Sequence, residues 1–198
     1  MVKVGMRYPV CATFSAHTEG SEPTYASTGI VMGHAISGNL SITRNANPLY
    51  GDDREVESDN GITAMSLELG LDGMELTAKK YVLGLTEVTT GTGQSAATDY
   101  YVETDASAPY VGVGYIQVLR HNGADKYIGV WYYKVIFGED AENLQTKGES
   151  IDWQTQTLTG RCLGLAVDSS GKIAYRKIKE FTSESAAKTW LNGLAGIS

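Results

Sequence analysis

A mainly β fold is what this sequence predicts, and three observations predict it. Glycine and tyrosine are abundant, at 23 and 12, proline is scarce at 4, and long apolar helical stretches are few. In TAMSLELGLD (63–72), Met65, Leu67, Leu69 and Leu71 face one way while Ser66, Glu68, Gly70 and Asp72 face the other. That period of two belongs to a strand with one buried face. Finally, Asn122-Gly123 sits between two strong strand patterns, Tyr110–Leu119 and Lys126–Phe137, and supplies the positive φ angles of a tight hairpin.

The remaining elements follow from local patterns. The first third reads as loop-rich β structure, with turn chemistry in TEGSEPT (18–24) and a short strand at Asn39–Arg44 that sets Leu40 and Ile42 on one face. LTAKKYVL (76–83) makes two turns of helix with Leu76, Lys80 and Leu83 roughly aligned, and Gly84 stops it. Residues 86–108 hold few core-forming side chains, too polar for a buried element and long for an idle loop. They are expected to form a functional arm or to be disordered. Thr155–Val167 reads as strand, DSSG (168–171) as a turn, and Lys172–Phe181 as the returning strand. The tail predicts a helix over 182–194, capped by Thr182 or Ser183, running through Leu191 and closed by Gly193. Trp190, Leu191 and Leu194 would dock it. No repeat and no linker divides the chain, so residues 1–198 are expected to form a single domain.

Charge and cysteine content narrow the function. A net charge of −7 argues against a protein that grips nucleic acid, which needs a basic face, yet allows nucleic acid to pass without sticking. Cys11 and Cys162 read as buried apolar thiols of a reducing compartment. The start MVKVGMRYPV lacks the apolar core of a signal sequence and no apolar run reaches membrane length, so a soluble protein made in the cytoplasm is expected.

Each candidate for chemistry meets a plainer alternative. The stretch LYGDDREVESDNG (49–61) packs Asp52, Asp53, Glu55, Glu57 and Asp59 around Arg54. As a calcium loop counted from Asp53 it fails, because Ser58 stands where glycine is needed and Ala64 where the final acid is needed. As paired glycosidase acids it fails too, since those work across a cleft and come from separate strands. A solvated or interface-facing acidic strand entry fits better than a divalent-cation site. His17, His34 and His121 show no ligand spacing, and no catalytic triad can be built on them. GTGQSA (91–96) mimics a dinucleotide fingerprint without the strand and helix that would make it one. The aromatic strand YIGVWYYKVIF (127–137) could stack bases, but its flanks are not basic, so core or subunit interface is the better reading. Lys172, Arg176, Lys177 and Lys179 are the main basic concentration, split between two strand faces, with half of it expected to pair with acidic surface elsewhere. No enzyme, metal or cofactor is predicted.

Three segments, in order, resemble the major tail proteins (tail-tube proteins) of long-tailed siphophages. They are NLSITRNANPLYGDDREVESDNG (39–61), TAKKYVLGL (77–85), and the long run 108–160 with its Gly-Tyr strand, its hairpin and its Thr-Lys-Gly-Glu-Ser-Ile and Gln-Thr-x-Thr-Leu-x-Gly segments. Trp153 and the tail TSESAAKTWLNGLAG depart from the family pattern. The resemblance implies a β-sandwich or barrel-like tail-tube fold with a short internal helix and a C-terminal helix. It implies copies joined edge to edge into hexameric rings that stack into a hollow tube, with tape-measure, tail-terminator and distal-tail proteins as partners and phage DNA passing through. The expected location is the virion tail, assembled in the host cytoplasm. On this reading Asp52, Asp53, Glu55, Glu57 and Asp59 face a subunit boundary or the channel, where acid would keep DNA sliding. Thr92, Gln94, Tyr100 and Tyr101 then belong to an assembly arm ordered on contact. Two alternatives stand beside it: a secretion-system tube protein of similar logic, and a β-sandwich ligand-binding module whose exposed Tyr and Trp, such as Trp131 and Trp153, would stack on sugars.

Overall fold

A computed structural model describes residues 2–45, 47–91, 97–102, 108–138 and 155–197. In chain order the elements are β1 (Val2–Ala16), β2 (Thr24–Tyr25), β3 (Ile30–Val31), β4 (Ala35–Arg44), β5 (Asn47–Gly51), β6 (Arg54–Asp59), β7 (Ile62–Leu71), α1 (Leu76–Leu83), β8 (Thr86–Thr90), β9 (Ala97–Tyr101), β10 (Val111–His121), β11 (Ala124–Gly138), β12 (Gln156–Leu163), β13 (Leu165–Ala166), β14 (Ile173–Ala174), β15 (Arg176–Phe181) and α2 (Glu184–Ala195). The protein is mainly β, with one short internal helix and one C-terminal helix.

The main sheet runs β2-β1-β10-β11-β12-β7-β4, with β15 also on β11 and β3 also on β1. Strand β11 is the hinge of this arrangement. Tyr127–Tyr132 pair with β15, while Lys134–Gly138 pair with β12. Its side chains therefore alternate between two cores. Val130, Tyr132, Val135 and Phe137 join Met65, Leu67, Leu69, Leu71, Leu158 and Cys162 in the larger core. Trp131 and Tyr133 join Val10, Ala12, Ile116 and three residues of α2 in the smaller one. A strand covered on both faces reads as a continuous apolar run, and YIGVWYYKVIF is one.

Helix α2 sits against the outer face of β1, β10 and β11 through Ala187, Leu191 and Ala195, all fully buried. Burying a leucine of this kind is worth about 1.5–3 kcal/mol. Glycines let the helix approach: a Cβ on Gly114 would lie 2.6 Å from Trp131 and 2.7 Å from Leu191. The Ser183 hydroxyl accepts from the Ala186 amide at 3.2 Å and starts the helix. The helix does not close at Gly193 but runs on to Ala195, with Gly196 left-handed at φ 68°. Burial of Ala195 against the Gly29 backbone carries it the extra turn.

The period-two reading of 63–72 holds on its apolar face: Met65, Leu67, Leu69 and Leu71 are buried. Helix α1 spans 76–83 as expected and ends at left-handed Gly84, but it packs through Ala78 and Val82, leaving Leu76 exposed. Asn122 and Gly123, at φ 49° and 81°, turn β10 into β11.

Candidate assembly surfaces

The acidic stretch is a hairpin. Strands β5 and β6 pair from Asn47↔Asp59 to Gly51↔Arg54, and Asp52 and Asp53 form the two-residue turn with φ of 49° and 59°. Two consecutive left-handed residues twist the turn to match the strands, and aspartate tolerates that conformation better than most residues. The five acids are not equivalent. Asp59 ties the hairpin base, accepting from Asn45 Nδ2 at 2.9 Å and from the Gly61 amide at 3.1 Å. Asp52, Asp53 and Glu57 stay exposed, as do Tyr50 and Val56, 66% and 59% accessible.

The polar segment 86–108 contains a second hairpin, β8 with β9, paired from Thr86↔Tyr101 to Thr90↔Ala97. It is fastened at its base by an ion pair between Lys80 of α1 and Glu87, which holds the Lys80 ammonium above its ordinary range. Tyr100 is half-buried and Tyr101 exposed, and Val88 and Val102 are exposed beside them. Thr92 and Gln94, like the side chain of Glu55 and all of Trp153, lie outside the described residues. Each hairpin forms a two-stranded sheet of its own, separate from the main sheet.

A pairing that the sequence reading missed sits at the mouth of a cleft of about 850 Å³ floored by Met6, Met32 and Met74. Asp72 accepts the His34 amide at 2.8 Å on one oxygen and meets His34 Nδ1 at 2.8 Å on the other. These hydrogen bonds hold the Asp72 carboxyl below the usual aspartate range, the backbone one contributing most. The two residues lie far apart in sequence and meet because Ala35 pairs with Leu71. The pair ties the start of β4 to the end of β7 as a clasp. Among the described residues no group of three His, Cys, Asp or Glu is placed to hold a metal.

The other candidates resolve structurally. Cys11 and Cys162 are free and buried, and burial pushes both thiols up to about 12. Trp131 is fully buried and donates Nε1–H to Tyr25 Oη at 3.0 Å, so it offers no face to a sugar. The basic cluster divides: Lys177 pairs with Glu22, while Arg176 turns inward to the Tyr132 hydroxyl at 3.3 Å. No described helix is long and apolar enough to cross a membrane. No protein-family model and no curated protein matches the chain.

Proposed function

We propose that the protein is a structural virion subunit that assembles into hexameric rings stacked as a tail tube, the conduit for phage DNA. The reading starts from the ordered resemblance of segments 39–61, 77–85 and 108–160 to tail-tube proteins. One structural observation supports it above all: both hairpins, β5–β6 and β8–β9, leave large apolar side chains in water. Tyr50, Val56, Val88, Tyr101 and Val102 are 43–66% exposed, although the body has two packed cores to hold such residues. An isolated two-stranded hairpin is marginal in water, and a covering partner stabilises it. In a homo-oligomer that partner is the next copy, and a head-to-tail contact either closes as a ring or propagates as a stack. Acid at the tip of β5–β6 suits a surface near DNA that must slide past rather than bind.

Deleting residues 89–98 tests the role of the arm. Light scattering against concentration should show growing particles for the intact chain and a folded, non-growing monomer for the deletion. Normal particles from the deletion would remove the arm from the assembly mechanism.

A further inference from the structure

We infer that neighbouring copies are joined by two particular strand edges, Asn39–Arg44 of β4 in one copy and β15 in the next; this rests on the self-assembly proposed above. Among the described strands, β4 and β15 are hydrogen-bonded to a neighbour on one side only. Within the main sheet, β2 and β3 also lie at an edge but are two residues each. The first residues of β4 lie under β1, where a Cβ on Gly38 would come 2.6 Å from Met6 Sδ. From Asn39 onward the strand is open, and this stretch matches the 6 residues of β15.

Chain chemistry says which edge meets which. Long free edges are normally blunted by lysine, proline or a bulge, because an unpaired backbone recruits other chains. NLSITR has no proline, and its lone charge, Arg44, stands at the end; its pairing to β7 is regular from Ser37 to Thr43. That edge is built to accept a strand. Strand β15 carries Arg176, Lys177 and Lys179 against Glu180, so two copies of β15 repel one another. Lys177 is engaged by Glu22 and Glu180 by Lys126, but Lys179 meets no carboxylate among the described residues. Strand β4 leads directly into the acidic β5–β6 hairpin, whose Asp52, Asp53 and Glu57 are exposed. The exposed acids of the hairpin that follows β4, set against the basic β15, favour β4-to-β15 contact over self-pairing of β15. Exposed Ile42 and Ile178 give each edge an apolar side chain to cover. A strand pair this short falls below the roughly 1,200 Å² of a stable interface, so the hairpins must add to it.

The test is directional cross-linking of the full chain at assembling concentration. Ser41→Cys protein is mixed with Ile178→Cys protein and treated with a short bismaleimide; the native thiols are buried and do not compete. The mixture should cross-link to dimers several-fold more than either variant alone. Lys179→Glu in the Ile178→Cys partner should lower the yield several-fold, and added salt should do the same. Equal cross-linking by Ser41→Cys alone would mean a symmetric β4–β4 contact and would overturn the inference. Particles that grow normally without mixed cross-links would overturn it and leave the tube reading standing. Absence of both particles and cross-links would remove the two together.

Discussion

Strand β11 and the two exposed hairpins are all β structure, yet they are held by opposite means. Strand β11 lies between two neighbours over most of its length and buries Val130, Trp131, Tyr132, Val135 and Phe137 at 0–2% exposure. Each hairpin strand pairs only with its own partner, and Tyr50, Val56, Val88 and Tyr101 lie in water. The difference teaches that the body carries its own packed cores, whereas the hairpins, on the proposed assembly, are completed by a neighbouring copy. Changes in β11 should therefore read out in monomer stability, and changes in the hairpins in association.

The largest effect should come from Trp131→Ala, which removes a fully buried indole and should cost about 3–5 kcal/mol in chemical denaturation. A loss below one kcal/mol would mean that α2 and β11 are not packed as described. Next comes Gly29→Ala, whose Cβ would sit 2.1 Å from the Ala195 carbonyl oxygen. Overpacking of this kind costs about 1–3 kcal/mol and should lift the end of α2, visible as faster amide exchange there. Ser183→Ala should cost about 1 kcal/mol by removing the N-cap acceptor. Tyr101→Ser combined with Val102→Ser should change monomer stability by no more than about 0.5 kcal/mol. The same pair should nonetheless raise the concentration at which particles appear, and that contrast sharpens the comparison most.

The smallest effect concerns pH. Because the folded-state pKa of Asp72 is depressed, the His34–Asp72 clasp contributes fully above the ordinary aspartate value of about 3.9 and is lost as pH falls through the lower folded value. Nuclear magnetic resonance of the His34 amide should follow that acid transition, and Asp72→Ala should abolish it.

What the sequence disclosed, and what it hid, follows from how local each signal is. Strand β7, helix α1 and the β10–β11 turn were legible because period-two alternation, a stop glycine and Asn-Gly act over a few residues. Strand β1 was not. Its register shifts between Lys3 and Gly5 and again between Arg7 and Val10, and Tyr8 takes a positive φ of 56°. Those irregularities and Pro9 break the alternation, and Pro9–Ala12 form a continuous buried run instead. The β5–β6 turn was hidden because Asp-Asp is a weaker turn signal than Asn-Gly. The His34–Asp72 clasp leaves no local trace, since only sheet pairing brings the two together. The acids of 52–59 were visible as a group, but their division into the anchoring Asp59 and the exposed Asp52, Asp53 and Glu57 required the fold.

The central claim is that the chain assembles with itself, and electron microscopy of the purified protein at rising concentration tests it most directly. The account predicts rings with a central opening that stack into tubes. A protein that stays monomeric at every concentration, also with tail nucleators present, would contradict it.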